Sequence, residues 1–389
     1  MVSFDNTEIA FQSKTNKDLK RAYWLFKIIA SPTIVKIGKF ATNLALKVGL
    51  PIKKSVKATI FKQFCGGETI EECKPAINLL GKFHIGTILD YSVEGKTTDE
   101  DFDKTVEIII STIHRAKNDV NIPFAVFKVT GIARFDLLEK ASDKNHSLTE
   151  IEKKEIQVII KRIDKIAKAA FDAKVPLFID AEETWIQDAI DTWTFEMMLK
   201  YNKEEAIVFN TLQMYRHDRL AFLKDCLKLA KENNVHYGIK LVRGAYMEKE
   251  RDRALKMSYP SPIQPTKQAT DSDYNAALEF IVQNASSFAL CAGSHNEESS
   301  LILTKLLNQN GISPRDKRFY FAQLLGMSDH ISYNLAHEGY FVAKYVPFGP
   351  IKEVMPYLLR RADENTSVAG QTGRELSLIM KELQRRKLN

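Results

Sequence analysis

From residue 83 onward the chain repeats one pattern: a short apolar run bounded by turn residues, then an amphipathic stretch of helical length. The runs span 83–90, 124–129, 175–180, 206–211, 236–242, 287–292, 318–323 and 340–345. Helical patterns separate them, among them 151–173, 219–233, 274–284 and 297–308. Strands that are apolar along most of their length and joined by crossover helices are parallel and covered on both faces. Eight such units in one chain point to α/β architecture of the (β/α)8, TIM-like kind, in which the sheet closes on itself. Residues 1–81 follow another grammar: helical patterns are broken at Pro32, at Pro51 and by Gly66 and Gly67, and no strand pattern occurs. The expected organisation is an N-terminal helical region over 1–81 and a barrel over 82–389 that ends in a helix.

Composition narrows the class. With 389 residues and 44% hydrophobic content the chain can bury a large core. No apolar stretch approaches the roughly 18 residues of a membrane span, and the first residues carry neither a signal peptide's apolar centre nor an acid-poor transit sequence. The expectation is a soluble chain that begins here and stays inside the cell. Cys65, Cys73, Cys226 and Cys291 have spacings that suit neither a zinc site nor a redox CxxC pair, so they read as reduced thiols without chemistry. The net charge is +7, with Lys36, Lys39, Lys47, Lys53, Lys54, Lys57 and Lys62 crowded into one segment. That segment is either a basic amphipathic surface for an anionic membrane or a solvated helical face. The absence of any zinc-finger or RNA-binding motif sets nucleic-acid binding aside.

A barrel places its chemistry at the C-terminal ends of its strands. There the chain holds Asp180, Glu182 and Glu183 after the third run, Gln213 after the fourth, and Arg243 to Tyr246 after the fifth. Ser294 and His295 follow the sixth run, Gln323 to Gly326 the seventh, and Tyr345 closes the eighth. Lys128 lies within the second run, where an inward lysine either pairs with a carboxylate such as Asp180 or meets a ligand anion. Further on, a helix over 355–365 would align Tyr357, Arg360, Arg361 and Glu364 on one stripe. Two guanidiniums beside a ring and a carboxylate suit a small carboxylic acid, since the planar fork of N–H donors matches a carboxylate. Taken singly, each of these residues also suits a helix cap, a rim salt bridge or an exposed Arg360–Glu364 pair.

Four segments carry a resemblance to a known family: 179–183, 240–246, 323–327 and 357–365. In order and spacing they resemble the signature segments of proline dehydrogenase, over about Leu89 to Asn365. The residues Phe4 to Thr7 and Trp24 to Phe26 resemble the monofunctional, eukaryotic-like branch, and the chain is too short for the aldehyde dehydrogenase module of the large bifunctional proteins. The resemblance implies an FAD enzyme, a flavoprotein of proline catabolism, that oxidises L-proline to Δ1-pyrroline-5-carboxylate. Hydride would pass from proline C5 to flavin N5, and electrons on to membrane quinone. It further implies that Lys128, Arg360 and Arg361 bind the proline carboxylate while Tyr246, Leu324, Tyr345 and Tyr357 enclose the ring. Asp180 and Lys240 would be catalytic, Asp180 orienting the cations and Lys240 standing near flavin N5. Ala181, Gln213, Lys240, Arg243, Gly244, Ala245, Ser294, His295 and Glu364 would hold the cofactor, and Glu94 would close a gate by pairing with Arg360.

The chemistry asks for these residue types. Hydride transfer needs the ring fixed against the flavin, and a carboxylate clamp supplies that fixing. A cation near N5 favours the anionic reduced cofactor; one branch of the family carries arginine where this chain has Lys240, a point charge in place of a fork. No GxGxxG follows a strand, so a flavin here would be held by a barrel rim. Tyr345 argues for proline over hydroxyproline, whose dehydrogenases resemble this chain but tend to lack that tyrosine. Two rival classes stay open at this point: a Schiff-base aldolase on Lys128, Lys240 or Lys344, and a membrane scaffold built on the basic N-terminal third. The expected location is a bacterial cytoplasm with peripheral attachment to the inner membrane, or alternatively the matrix side of the mitochondrial inner membrane.

Overall fold

Eight parallel strands close in chain order into a barrel. They are β1 (Ile85–Tyr91), β2 (Phe124–Lys128), β3 (Leu177–Asp180), β4 (Val208–Gln213), β5 (Tyr237–Val242), β6 (Phe288–Gly293), β7 (Phe319–Leu324) and β8 (Val342–Phe348). Each matches an apolar run of the sequence. This computed structural model describes residues 2–31, 33, 56–93, 96–367 and 371–388, the side chains of 362–367 and 371–372 excepted.

The crossover helices start and stop where local chemistry requires. Helix Asp99–Ala116 opens on Thr98, whose hydroxyl accepts from the Asp101 N–H at 3.2 Å, and carries Asp99, Glu100 and Asp101 in its first turn. Those acids favour the positive end of the helix dipole. Helix Glu150–Ala173 opens on a reciprocal capping box between Thr149 and Glu152 and ends on Lys174 in the left-handed region. Its buried residues Ile156, Ile159, Ile163, Ile166, Ala167 and Ala170 form one stripe at helical spacing.

The chain divides into two compact units, residues 1–94 with 323–389, and residues 95–322. The sequence pattern suggests a boundary at 81/82, but the N-terminal helices share a core with the C-terminal ones. Ala10, Phe11, Leu19, Ala22 and Phe26 pack with Leu378, Ile379 and Leu383. Ile29, Phe61 and Phe64 pack with Ile351, Val354, Met355, Tyr357 and Leu358. In the same unit the buried Asp329 and Lys344 pair at 2.7 Å, and the half-buried Lys14 joins Asp329 at 3.1 Å. Against the upward push of burial, Lys14 and Lys344 hold the Asp329 carboxyl well below the usual range.

In the unit 95–322 the interior is aromatic: the Phe124 ring stacks on Phe178 at 4.4 Å and meets Tyr320 edge-on at 4.7 Å. All four cysteines are buried free thiols whose ionisation burial opposes, so their reading as inert holds. Among the described residues no helix is long and apolar enough to cross a membrane. Of the basic segment, Lys36, Lys39, Lys47, Lys53 and Lys54 lie outside the described residues. Lys57 pairs with Glu68 and Glu72, and Lys62 reaches Asp18 at 4.0 Å.

Candidate active site

In the unit 95–322, strands β2 to β6 bring a run of charged groups to their C-terminal ends. Lys128, the last residue of β2, stands opposite Asp180, the last residue of β3. The Asp180 carboxylate forms an ion pair with Lys240 of β5. Both are buried, and the Lys240 ammonium lies 5.8 Å from the centre of the Phe178 ring. A buried pair of this kind holds each partner in place, because either one alone would be a desolvated charge. Gln213 is buried at the end of β4, and Ala181 is buried directly after β3.

At the ends of β5 and β6 a second cluster forms around Arg243. Its Nε donates to Asp271 at 2.6 Å, and its two terminal nitrogens donate to Ser294 Oγ and Ser299 Oγ, each at 2.8 Å. The guanidinium stacks 4.3 Å from the Tyr274 ring centre. Three of the five N–H donors of the guanidinium are committed to the protein, which leaves two for an anion. Gly244 follows with φ +126, and a Cβ there would lie 2.6 Å from the Tyr215 ring. Only glycine meets both demands. Ala245 is exposed, while Tyr246 and His295 are half-buried.

In the other unit, helix Ile351–Ser367 carries the expected arginine stripe. Tyr357 and Arg361 are buried, with the Arg361 guanidinium 5.0 Å from the Tyr357 ring centre, and Arg360 is half-buried. Tyr345 is buried within β8 and lies opposite Ile88. The sequence pattern ends the eighth strand there, but β8 continues to Phe348 through Pro347, whose carbonyl accepts from the Gly66 N–H at 2.9 Å. Leu324 closes β7, half-buried. The expected gate residue Glu94 and the side chain of Glu364 lie outside the described residues. Lys344 is fully buried, donating to Asp329 and to the Met327 carbonyl at 2.6 Å. A lysine so enclosed has no route to a carbonyl substrate.

The sequence places one further acid, Glu182, at the rim without giving it a role. Glu182 is buried, and its carboxylate accepts both the N–H and the hydroxyl of Thr130. Its own N–H donates to Gln187, which donates to Asp191, itself shared by Asn210 and Arg219. Burial pushes Glu182 up to about 7, against the hydrogen bonds from Thr130 and the field of Lys128. Between its ordinary 4.5 and about 7 the folded protein keeps a proton that the unfolded chain has released, so stability falls as pH rises through that window. Glu182→Gln is therefore expected to gain up to about 3 kcal/mol relative to the parent between pH ~5 and ~8, read by urea unfolding at each pH.

The family described as proline dehydrogenase matches residues 73–374. The chain belongs to the proline dehydrogenase family. The mitochondrial proline dehydrogenase 1 of Dictyostelium discoideum is 35% identical over 426 residues, spanning 98% of this chain and 74% of that protein. The hydroxyproline dehydrogenase of Xenopus laevis is 29% identical over 415 residues, spanning 97% of this chain and 89% of that protein. Among solved structures, proline utilization A from Bdellovibrio bacteriovorus, inactivated by N-propargylglycine, superposes with a TM-score of 0.74 at 18% identity. That superposition covers 93% of this chain and 38% of the other, and it bears on the fold. The chain is thus an oxidoreductase of the proline dehydrogenase class, and the aldolase and scaffold readings fall away. Its residues also fit the flavin that the family implies. The Gly244 backbone with the two remaining Arg243 donors suits a phosphate, and the buried Lys240 ammonium suits a ring that gains negative charge on reduction.

Proposed function

We propose that this proline dehydrogenase-family chain binds FAD at the C-terminal ends of β4, β5 and β6 and oxidises L-proline to Δ1-pyrroline-5-carboxylate. The observation that carries the reading is the buried Asp180–Lys240 pair, a fixed cation at the end of two strands beside the Arg243 and Gly244 cluster. When bound, FAD supplies the acceptor for the hydride leaving proline C5. Lys128, Arg360 and Arg361 bind the substrate carboxylate, and Tyr246, Leu324, Tyr345 and Tyr357 exclude water from the ring and fix its face. Asp180 holds the Lys240 ammonium at the cofactor, where its charge favours the reduced state. Gln213, Arg243, Gly244, Ala245, Ser294 and His295 would hold the nucleotide, with Ala181 against it.

Electrons leave to a membrane quinone, which calls for peripheral contact with a membrane. That membrane is the bacterial inner membrane or the matrix side of the mitochondrial inner membrane; the name of the Dictyostelium relative favours the mitochondrion. The test is quinone reduction by the purified protein with soluble ubiquinone-1, FAD and L-proline. Proline-dependent reduction that needs FAD supports the reading. Reduction of an artificial dye but not of the quinone would remove quinone from it.

A hydroxyproline-oxidising activity is the second reading, and Tyr345 weighs against it. A buried ring against the substrate edge meets an added hydroxyl with a clash or leaves it unpaired, a loss of about 1–3 kcal/mol. Tyr345→Ser is expected to raise the ratio of kcat/KM for trans-4-hydroxy-L-proline to that for L-proline by about tenfold or more. An unchanged ratio in steady-state assays would remove the argument.

A further inference from the structure

We infer that Glu182 is a positioning residue for substrate binding, holding the turn after β2 so that the Lys128 ammonium meets the substrate carboxylate. The inference rests on the reading of Lys128 given above. Lys128 ends β2, and the chain turns at once through the short helix Val129–Gly131. The pin on that turn is Thr130, whose N–H donates to Glu182 Oε1 at 3.1 Å and whose hydroxyl donates to Oε2. Both carboxylate oxygens are thus spent on one residue, two places beyond the lysine. Glu182 is held in turn from behind, since its N–H donates to Gln187 Oε1 at 2.8 Å, and Gln187 donates to Asp191 at 2.9 Å. Asp191 is locked by Asn210 at 2.9 Å and by Arg219 at 2.8 Å. The turn that carries Lys128 is therefore tied to the β3 loop, to helix Thr184–Tyr201, to β4 and to helix Arg219–Asn233.

A tie alone does not call for an acid. A glutamine would accept one of the Thr130 bonds without the cost of desolvating a carboxylate. What the acid adds is a field: the charged groups that reach it are Lys128 and its neighbour Glu183, and Glu183 is itself paired with Lys249. Above about pH 7, where Glu182 is ionised, it attracts the Lys128 ammonium, and the two Thr130 bonds hold the backbone of the turn. An ammonium on a four-carbon stem otherwise samples many rotamers, and fixing it in advance lowers the cost of binding an anion.

The test compares two ligands on the FAD-loaded protein: cyclopentanecarboxylate, an anion that lacks the amine to be oxidised, and the neutral cyclopentanecarboxamide. Dissociation constants are read from perturbation of the flavin spectrum. Glu182→Gln and Thr130→Val are each expected to weaken the anion by about tenfold and the amide by less than about twofold, and Thr130→Ser to restore the parent value. In a Lys128→Met background, Glu182→Gln is expected to add nothing further. Equal weakening of both ligands, or full additivity with Lys128→Met, would overturn the inference. Lys128→Met that leaves the anion's affinity unchanged would instead overturn the assignment of Lys128 on which it rests. Thr130→Val, which keeps the acid, carries the same comparison independently of any change in stability at Glu182.

Discussion

Joint replacement of Arg360 and Arg361 by methionine is expected to lower kcat/KM for L-proline by between about a hundredfold and ten-thousandfold, with flavin content unchanged. On the proposed assignment each guanidinium would give the substrate carboxylate charge-assisted hydrogen bonds worth about 1.5–3 kcal/mol, and the two would act on one group. Arg361 is the more buried of the pair, with its guanidinium 5.0 Å from the Tyr357 ring centre. Methionine keeps the apolar stem that packs there, so the loss reports on charge and not on a cavity. Arg361→Lys is expected to recover only part of the activity, because a point charge does not replace a planar fork stacked on a ring. Most of the effect belongs in KM, since the carboxylate is bound in ground and transition states alike. A remainder in kcat reflects a ring held less squarely against the cofactor. Steady-state kinetics beside the flavin-to-protein absorbance ratio check both parts; full activity in the double variant would remove the substrate role of this helix.

Lys240→Met is expected to be as severe for a different reason. It would strip the proposed cation from the flavin site, and it leaves Asp180 buried without its Lys240 counter-charge, a cost of about 3–5 kcal/mol in folding stability. Activity should fall by at least about a thousandfold, the scale seen when a preorganised electrostatic group is removed. The double variant Asp180→Asn with Lys240→Met separates the two effects. Stability should return to near the parent, since neither charge is left unmatched, while activity stays lost. Lys240→Arg should keep both stability and a fraction of activity, as the arginine-bearing branch of the family suggests. Denaturant midpoints and turnover measured on the same preparations give the answer. Recovery of activity in the double variant would show that Lys240 matters only as a structural counter-ion.

The barrel was legible in the sequence because its signal is local. Runs such as 236–242 are apolar with a turn on either side, and each became a strand within two or three residues of the pattern. The differences have physical causes. β8 runs on to Phe348 although Pro347 has no N–H to give the ladder; its carbonyl accepts from the Gly66 N–H, and no local pattern announces that partner. The shared core of Phe26 and Leu378 joins residues more than 350 positions apart, which periodicity cannot pair. At the site, Asp180, Lys240 and Arg243 were legible as charged groups at strand ends. Their partners were not: a sequence shows a lysine in a strand but not whether it meets Asp180, as Lys240 does, or Asp329, as Lys344 does. Glu182 was visible as one acid in a run of three within 180–183, and only its burial and its grip on Thr130 distinguish it from Glu183. The one available signal was its neighbourhood, two residues from an expected catalytic aspartate.

The central claim is that the Lys240 and Arg243 rim holds a flavin that L-proline reduces. It is tested most directly by the absorption spectrum of the FAD-loaded protein between about 350 and 500 nm, recorded without oxygen before and after L-proline is added. The account predicts flavin bands that proline bleaches and that trans-4-hydroxy-L-proline bleaches far more slowly. A protein that cannot be loaded with FAD, or a bound flavin that proline leaves oxidised, would contradict it.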